Sequence, residues 1–298
     1  MKKNILVTGG LGYIGCHVVN LFLSKGHNVT VVDNILFGSY PLNVFLGNNN
    51  FFFYKTDIRD RKKIEEIFKI HKFDVVVHLA ALVGEAACKK NVNDTDEINY
   101  KATLMLAELS KLHHINNFIF MSTASSYGIQ NIDEIADENT KLNPVSEYAI
   151  SKINSERDLL QKYSEDMNIT IFRPSTVHGT SPRMRFDLIV NHLTLDAYKK
   201  NEILVLGPKL WRPLMSVSEP SKVFDLVINS ENRNIKSQIF NLGSDDQNFQ
   251  KINIAENLKK NFFKNLKIEI IDKDPDLRSY RVSLKKLKIN LNLILAGP

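Results

Sequence analysis

Gly10-Leu11-Gly12-Tyr13-Ile14-Gly15 decides the fold of this chain. It stands between an apolar run, Asn4–Thr8, that predicts a strand and a segment with helical spacing, Gly12–Lys25. In such a turn the first glycine permits a tight bend, the second lets the backbone approach a pyrophosphate, and the third lets helix and strand pack closely. The N–H groups at the start of the helix add a partial positive charge that suits phosphates. The stretch therefore predicts a strand–turn–helix unit that binds a dinucleotide.

Asp33 closes the next predicted strand, eighteen residues after Gly15. A carboxylate at this place can accept hydrogen bonds from an adenosine ribose, and it repels a 2′-phosphate. The residues that follow, Asn34-Ile35-Leu36, supply no arginine that would welcome such a phosphate. The sequence therefore favours NAD over NADP as the cofactor.

The first 175 residues alternate between short apolar runs and segments with helical period. The predicted strands are Asn4–Thr8, Val29–Asp33, Phe51–Lys55, Val75–Ala80, Asn117–Ser122 and Ile169–Arg173. The predicted helices include Gly12–Lys25, Ile64–Ile70, Asn99–His113 and Ser146–Met167. Short β-branched strands that are apolar on both faces are typical of a parallel sheet covered on both sides. The pattern predicts an α/β fold with a doubly wound Rossmann sheet.

The pattern changes after about residue 175. A loop, Gly179-Thr180-Ser181-Pro182, leads into a predicted helix, Phe186–Lys200, and shorter pieces follow. We therefore expect an NAD-binding Rossmann domain over residues 1–175 and a smaller C-terminal region over residues 176–298. The smaller region is expected to bind mainly the substrate, with some segments returning to the Rossmann core.

Composition narrows the classes of protein that the chain can belong to. It has 298 residues, of which 43% are hydrophobic and 24% charged, and no run of eighteen apolar residues predicts a membrane span. Two cysteines, Cys16 and Cys88, are too few for a disulfide framework and lack zinc-site spacing, so we expect no metal and a cytoplasmic setting. The first apolar run also breaks too early for a secretory signal. The net charge of +6 comes from scattered lysines, which suits an anionic small substrate and predicts no nucleic-acid partner.

Tyr148 and Lys152 stand four residues apart in a predicted helix and so share one face. A tyrosine with an ordinary pKa of about 10 is a poor base at neutral pH. A lysine ammonium beside it and an oxidised nicotinamide favour the phenolate, which can then take a proton from a sugar hydroxyl. Such a pair also arises by chance in a lysine-rich chain, but this one follows a strand that ends in Met121-Ser122-Thr123. Its hydroxyl groups are expected at the carboxyl edge of the sheet, where ligands of such folds bind.

A set of motifs occurs in order along the chain. They are Thr8-Gly9-Gly10-x-Gly12-Tyr13-Ile14-Gly15, Asp33-Asn34, Asp57-Ile58, His78-Leu79-Ala80-Ala81, Ser122-Thr123-x-x-x-Tyr127-Gly128, Tyr148-x-x-x-Lys152 and Arg173-Pro174. With them the chain resembles the NAD-dependent epimerase/dehydratase family, the sugar-nucleotide-modifying branch of the extended short-chain dehydrogenases/reductases. The resemblance covers nearly the whole chain. It implies NAD as cofactor, a nucleotide-diphosphate sugar as substrate, and hydride transfer at C4 of that sugar.

The resemblance also implies roles for individual residues. Thr123 would hydrogen-bond the reacting sugar oxygen, Tyr148 would be the acid/base, and Lys152 would activate it. The implied cofactor site comprises Gly9, Gly12, Tyr13, Ile14, Gly15, Asp33, Asn34, Asp57, Ile58, Leu79, Ala80, Ala81, Asn99, Tyr148 and Lys152. The implied substrate site comprises Thr123, Thr176, Arg185, Asn191, Arg212, Asp276 and Arg278, with Arg212 on the diphosphate.

The two residues after Thr123 bear on the reaction. Family dehydratases usually carry Asp-Glu there, whereas this chain has Ala124 and Ser125, which cannot act as acid or base. Cys88 and His178 are the only candidates for the Cys–His pair of 3,5-epimerases, and packing is the default interpretation for both. We therefore favour a 4-epimerase, with a net 4-dehydrogenase or 4-keto-reductase on an NDP-hexose or NDP-heptose as the alternative. A non-catalytic NAD-sensing regulator is more remote, because such proteins commonly lose the tyrosine or the lysine.

Three later positions depart from the family pattern. Ser216 and Glu219 stand where many relatives have a histidine and an aspartate. Lys273 replaces an arginine that precedes the position of Asp276 in some epimerases, and Arg278 is the candidate substitute for it. These changes fall on the substrate side of the expected site.

The predicted helices Asn99–His113 and Ser146–Met167 would lie side by side on one face of the sheet. In relatives these two helices build the four-helix bundle of a dimer. Four leucines on the first helix are too many for one buried stripe; they are Leu104, Leu106, Leu109 and Leu112. We therefore expect a homodimer through a four-helix bundle. The resemblance to the family also implies a place for the enzyme in polysaccharide biosynthesis.

Overall fold

The computed structural model describes residues 1–131, 133–230 and 235–291. The last part of the expected C-terminal region, residues 292–298, lies outside the described residues. The strands are β1 Asn4–Thr8, β2 Asn28–Asp33, β3 Phe51–Lys55, β4 Val75–His78, β5 Asn117–Met121, β6 Asn168–Pro174, β7 Thr176–His178, β8 Glu202–Leu206, β9 Trp211–Ser216, β10 Gln238–Leu242, β11 Asn248–Gln250 and β12 Lys267–Ile271.

The α-helices alternate with the strands through the first part of the chain. They are α1 Gly15–Ser24, α2 Arg61–Ile70, α3 Glu85–Lys90, α4 Val92–Asp96, α5 Ala102–Leu112, α6 Glu147–Tyr163, α7 Ile189–Lys200, α8 Glu219–Asn229, α9 Lys251–Asn261 and α10 Lys285–Leu291. A π-helical turn, Glu97–Lys101, precedes α5, and a 3₁₀ turn, Ala124–Tyr127, follows β5. No helix within the described ranges combines the length and the apolar character that crossing a bilayer requires.

The main sheet has seven strands, all parallel, in the order β3-β2-β1-β4-β5-β6-β10. The strand order reverses between β1 and β4, which is the place where open α/β sheets form their ligand crevice. Central side chains such as Val7, Val76 and Ile119 are fully buried because helices cover both faces. The six predicted strands are present with ends within two residues, and the doubly wound Rossmann fold is confirmed.

Two hydrophobic layers hold the helices on the sheet. On one face, α1 and α8 pack together and bury Phe22 and Phe224. On the other face, α2, α5 and α6 bury Ile64, Leu106 and Leu159. This packing fixes the carboxyl ends of the strands, from which the side chains of the site project.

The residues after 175 contribute both to this sheet and to a smaller core. β10 pairs with β6 at the sheet edge, and α8 returns to the layer of α1. In the smaller core, α7, α9, β8 and β12 pack around Leu193, Ile203 and Leu258. A further small sheet, in the order β11-β9-β7, leads from the end of β6 toward this region.

Candidate active site

The glycine-rich turn closes the end of β1 through close backbone contacts. The left-handed backbone conformation falls on Gly9 (φ +70°), where an added Cβ would lie 2.7 Å from the Ala80 nitrogen. A Cβ on Gly10 would lie 2.7 Å from Val31, and one on Gly15 would overlap the Gly9 carbonyl oxygen. The tight bend therefore depends on Gly9 rather than on Gly10, and α1 starts at Gly15 because residues 12–14 belong to the turn.

Gly12 has a different environment from its neighbouring glycines. A Cβ there would meet only the Gly9 carbonyl oxygen, at 3.1 Å, and Gly12 lines a large cleft. The lack of a side chain therefore leaves the backbone of the turn open to a ligand in this cleft. This is the environment that a pyrophosphate group requires, and it fits the dinucleotide expected from the sequence.

Asp33 lies at the end of β2, beside the glycine turn. Its carboxylate accepts hydrogen bonds from the backbone nitrogens of Leu11, at 3.1 Å, and Ile35, at 2.8 Å. Burial raises the pKa of this carboxyl, although the two hydrogen bonds and the charge of Arg183 oppose the shift. Ile35 has a left-handed φ of 53°, which is unfavourable for a β-branched residue, and its bond to Asp33 helps to hold it there.

Arg183 reaches this end of the cleft from the loop after β7. Its guanidinium carbon lies 3.9 Å from the centre of the Phe37 ring, and both residues line the cleft. The contact was not predicted, because the residues directly after Asp33 include no arginine and Arg183 lies far along the chain. The two residues of the contact are 146 positions apart, and no local motif joins them.

The loop that carries Arg183 is joined to the glycine turn by several hydrogen bonds. The Tyr13 hydroxyl donates to the Gly179 carbonyl at 2.6 Å, and the Ser181 hydroxyl donates to the Tyr13 carbonyl at 2.8 Å. Asn191, which the sequence assigned to the substrate site, donates to the Tyr13 hydroxyl at 2.9 Å and does not line the cleft. The loop after β7 thus forms one wall of the cleft above the glycine turn.

The loops after β3 and β4 carry further residues that the sequence assigned to the cofactor site. Ile58 is buried and lines the cleft. The carboxylate of Asp57 pairs with Arg59 at 2.8 Å, and hydrogen bonds from this guanidinium lower the pKa of the Asp57 carboxyl. Ala80 lies against Gly9, and its backbone nitrogen donates to the Thr8 hydroxyl at 3.3 Å.

The catalytic candidates meet at the carboxyl end of β5. Thr123 caps the 3₁₀ turn, with its hydroxyl accepting from the Ser125 nitrogen at 3.1 Å. Tyr148 lies on the first turn of α6 and interacts with the Thr123 side chain, and both line the cleft. Burial raises the pKa of the Tyr148 hydroxyl to about 12, while the charge of Arg185 and the hydrogen bond with Thr123 oppose this rise.

Lys152 lies one turn further along α6 and is almost completely buried. Its Nζ donates to the Met121 carbonyl at 2.9 Å and lies 4.6 Å from the centre of the Phe120 ring. Burial lowers the pKa of the Lys152 ammonium to about 7, and the charge of Glu156 opposes this shift. The side chain is therefore fixed beside the cleft. At neutral pH its protonated and neutral forms have similar populations.

A buried polar network supports this arrangement from behind. Glu156, one turn after Lys152, forms an ion pair with Arg173 at 2.6 Å and accepts a short hydrogen bond from the Ser122 hydroxyl. Arg173 also donates to the Tyr127 hydroxyl at 3.2 Å. Sequence reasoning assigned no role to Glu156, although its helical spacing from Tyr148 and Lys152 places all three on one face.

Asn99 ties the π-helical turn to the end of β4. Its amide accepts from the Leu82 nitrogen at 2.8 Å and donates to the Leu82 carbonyl at 2.9 Å and to the Ser151 hydroxyl at 3.3 Å. Asn99 does not line the cleft, but it joins the loop after β4 to α6. The sequence placed Asn99 in the cofactor site, whereas the structure places it behind the cleft, where its amide bonds to Leu82 and Ser151.

The substrate side differs most from the expected arrangement. Arg212 is buried outside the cleft lining and pairs with Asp276 at 3.0 Å. Asp276 also holds Arg278, through bonds of 2.8 Å to its Nε and 2.7 Å to its Nη2. The two guanidinium groups lower the pKa of the Asp276 carboxyl, against the effect of its burial. Arg278 lines the cleft, whereas Arg212 and Asp276 lie behind it.

The cleft has a volume of about 800 Å³ and runs along the carboxyl edge of the sheet from Asp33 to Arg278. That size lies in the upper part of the range for small-molecule sites. Most residues predicted for the site line this one cleft: Gly9, Gly12, Tyr13, Ile14, Gly15, Asp33, Asn34, Asp57, Ile58, Leu79, Ala80, Ala81, Thr123, Tyr148, Lys152, Thr176, Arg185 and Arg278. Among the residues that the structure describes, no group of three or more His, Cys, Asp or Glu side chains could hold a metal ion.

These features define a dinucleotide-binding α/β protein with a tyrosine–lysine site at the edge of its sheet. The chain belongs to the NAD dependent epimerase/dehydratase family, whose model matches residues 5–243. The description of this family as NAD dependent supports the NAD cofactor that the sequence predicted.

Its relatives carry out more than one reaction. Bifunctional protein GAL10 of Pachysolen tannophilus is 30% identical over 186 residues, which are 58% of this chain and 27% of that protein. A dTDP-D-glucose 4,6-dehydratase of Dictyostelium discoideum is 29% identical over 262 residues, 82% of this chain and 58% of that protein. The chain thus spans less than two thirds of the length of either protein. The crystal structure of UDP-glucose 4-epimerase from Thermotoga maritima with UDP-glucose is 26% identical, with a TM-score of 0.83 over 97% of this chain and 92% of that chain.

Proposed function

We propose that this enzyme is a 4-epimerase of a nucleotide-diphosphate sugar. The observation that carries the proposal is the junction of Thr123, Tyr148 and Lys152 at the end of β5, where Ala124 and Ser125 offer no acid or base. A 4,6-dehydration needs such groups to remove water from the sugar, so we place the dehydratase reaction below epimerisation.

The chemistry follows from the proton positions in the cleft. Burial raises the pKa of Tyr148 to about 12, so the hydroxyl holds its proton at neutral pH unless positive charge lies close to it. NAD⁺, when bound, supplies the hydride acceptor and a positive charge that favours the phenolate. Tyr148 then takes the proton of the sugar hydroxyl while C4 gives up a hydride, which leaves a 4-keto sugar. Thr123 would hold the sugar oxygen during this step. Return of the hydride to the opposite face of C4 and of the proton from Tyr148 to the oxygen would complete the epimerisation.

Lys152 has two tasks in this scheme. Its ammonium favours the Tyr148 phenolate by charge, and it binds the nicotinamide ribose. Its Nζ donates to the Met121 carbonyl, which fixes the side chain beside the cleft, and an ammonium has further N–H donors for the ribose. The remaining predicted contacts to the cofactor are proposed for the turn from Gly9 to Gly15, for Asp33, and for the loops after β3 and β4.

The substrate diphosphate is proposed to bind Arg278 and Arg185, because both line the cleft at the substrate end. Thr176 would contact the sugar from the start of β7. Arg212 and Asp276 are proposed to orient Arg278 rather than to touch the substrate, since neither lines the cleft.

The test is a reaction in deuterated water with NAD⁺ and a panel of nucleotide hexoses and heptoses, read by mass spectrometry and NMR. A new isomer of unchanged mass, without deuterium at C3 or C5, is the expected result. A product lighter by two hydrogens would instead identify a net 4-dehydrogenase, and loss of water would identify a dehydratase. No reaction with any nucleotide sugar would contradict the proposal as a whole.

We further propose a cytoplasmic homodimer that serves polysaccharide biosynthesis. The dimer would form through α5 and α6, which pack side by side on the sheet. Leu106 and Leu109 are buried within the protomer, whereas Leu112 and Ile150 are 60% and 40% exposed. The two exposed side chains are the apolar groups that a second copy would cover.

A further inference from the structure

Arg278 presents its two edges to two different acidic residues. Its Nε and Nη2 bind both carboxylate oxygens of Asp276, which fixes the plane of the guanidinium. Its Nη1 donates to Glu85 at 2.7 Å and to the Ser125 hydroxyl at 2.9 Å. A diphosphate that comes to Arg278 must therefore compete with Asp276 or with Glu85 and Ser125.

Glu85 is the acidic partner that yields more readily. Asp276 is held by two arginines, Arg212 and Arg278, and makes two bonds to the second of them. Glu85 makes a single bond to Arg278, and the two carboxylates are equally exposed, at 33% and 34%, so the number of bonds is what separates them. Because one partly exposed ion-pair contact contributes little, the Nη1 edge can change partner at small cost, while the two parallel bonds to Asp276 keep the guanidinium in place.

Glu85 also lies close enough to the reacting groups to act on them electrostatically. It is the first residue of α3 and lines the cleft together with Ser125, Thr123 and Tyr148. Its negative charge contributes to the raised pKa of the Tyr148 hydroxyl. A carboxylate at this place favours hydrogen-bond donors on the sugar and repels a second carboxylate.

We propose that Glu85 is a specificity-determining residue, which pairs with Arg278 in competition with the substrate diphosphate and selects sugars that carry hydroxyl or amino groups over uronic acids. The proposal rests on the proposed function, because it assumes a diphosphate on Arg278. When the diphosphate takes the Nη1 edge, the released carboxylate of Glu85 accepts hydrogen bonds from the sugar. A uronic acid would bring a like charge to this carboxylate and bind more weakly.

The experiment measures binding of UDP, UDP-glucose and UDP-glucuronic acid to the full-length, NAD-loaded protein by calorimetry. For Glu85→Gln we expect UDP to bind about two- to fivefold more tightly, because Arg278 loses a charged competitor. We expect UDP-glucuronic acid to gain at least about tenfold, because a like-charge repulsion is also removed. Unchanged or weaker UDP binding, or an unchanged ratio of the two sugars, would overturn the proposal.

Two further variants separate this effect from a general change in charge. Glu97→Gln removes the same charge from an exposed residue that pairs with Lys101 outside the cleft, and it should leave all three affinities unchanged. In an Arg278→Gln background, Glu85→Gln should no longer tighten UDP binding, since there is no guanidinium to release. A gain that persists in this background would show that Glu85 acts without Arg278 and would count against the proposal.

Failure of the proposed function can be told apart from failure of this inference. If no nucleoside diphosphate of a UDP, dTDP, GDP and CDP panel binds the wild type, the proposed function is wrong. The same variants are then titrated with inorganic pyrophosphate. Tighter binding of pyrophosphate to Glu85→Gln would keep Glu85 as the competitor for Arg278, and equal or absent binding would remove that role too.

Discussion

Tyr148 and Lys152 face the same cleft, but burial moves their protonation equilibria in opposite directions. It raises the pKa of the tyrosine to about 12 and lowers that of the lysine to about 7, because in each case it disfavours the charged form. Burial alone therefore keeps the tyrosine neutral at pH 7 and the lysine only partly charged. Positive charge near the Tyr148 hydroxyl would favour its phenolate.

The first prediction concerns Tyr148→Phe. Loss of the hydroxyl should lower kcat by about 10²- to 10⁴-fold, the usual contribution of a positioned acid/base, while NAD still binds. Steady-state kinetics and NAD titration would measure the two effects separately. Tyr100→Phe is the matched control, because its hydroxyl bonds to Asp158 at 2.6 Å outside the cleft. An equal loss of activity in both variants would contradict the role of Tyr148.

The second prediction concerns pH and Lys152. Its pKa is about 7 in the folded protein and about 10.5 when unfolded, so the unfolded state binds more protons between these values. The free energy of unfolding should therefore rise from pH 7 toward pH 10 because of this residue, by at most about 1.4 kcal/mol per pH unit. Below pH 7 both states are protonated and the destabilisation is fully present.

The measurement compares urea unfolding of the cofactor-free wild type and Lys152→Met at pH 6, 7.5 and 9. The loss of the hydrogen bond to Met121 lowers the unfolding free energy of the variant by the same amount at each pH. Only the part of the difference that changes with pH therefore reports the titration of Lys152. We expect the free energy of unfolding of the variant, relative to that of the wild type, to be highest at pH 6. A difference that stays constant across the three pH values would show that Lys152 titrates near its ordinary pKa.

At the scale of elements, the join between β1 and α1 depends on Gly9. We predict that Gly9→Ala destabilises the protein and weakens NAD binding, because its Cβ would collide with Ala80 in addition to the cost of the left-handed φ. Gly26→Ala is the matched control, since Gly26 has a similar φ of +81° with nothing within 4 Å of its Cβ. The control should lose only about 1–2 kcal/mol of unfolding free energy, the cost of the backbone conformation alone. Equal losses would argue against the contact with Ala80.

Local patterns in the sequence predicted the elements of the Rossmann sheet well. Each of the first six strands has enough buried β-branched or aromatic residues to be recognised from its own letters, and glycines mark the first turn. The start of α1 was predicted three residues early, because helical spacing continues back into residues that the turn requires. The π-helical turn before α5 was also missed, since it has the same hydrophobic spacing as a helix end.

Contacts between residues that are distant along the chain could not be predicted from the sequence. The positions of Tyr148 and Lys152 followed from one helix face, but the ion pair of Glu156 with Arg173 joins α6 to β6. The sequence assigned the diphosphate to Arg212, but it is Arg278 that lines the cleft. This difference depends on how the segment after β12 folds back onto β9. Such pairings are set by tertiary packing, and no spacing within a single element reports them.

At the scale of the whole molecule, we predict a dimer through α5 and α6. Light scattering of the wild type should give twice the mass of one chain, and Leu112→Glu should shift it toward the monomer by placing a charge in the interface. Leu226→Glu is the control, because Leu226 is 40% exposed on α8, which packs on the opposite face of the sheet. A wild type that is monomeric at all concentrations tested would show the prediction to be wrong.

A second prediction at this scale concerns release of the cofactor. Phe37→Ala removes the ring under Arg183 and should speed NAD dissociation by about three- to fivefold, as expected for a partly exposed cation–π contact. Exchange of bound NAD for labelled NAD would measure the rate. Leu36→Ala alters a neighbouring exposed side chain of the cleft and should change the rate less. Equal rates in Phe37→Ala and wild type would show that the contact does not limit release.

The loop after β7, which carries Ser181 and Arg183 and forms a wall over the glycine turn, bears on how often the enzyme could exchange its cofactor. A protein that opens this wall rarely compared with its turnover cannot exchange electrons with the free nicotinamide pool in each cycle. In such a protein the bound nicotinamide would have to begin and end each catalytic cycle in the same oxidation state. The hydride taken from the sugar would therefore have to return to the sugar. Isomerisation satisfies that condition without a second substrate. Net oxidation would instead require the loop after β7 to open after every turnover, so that NADH could leave.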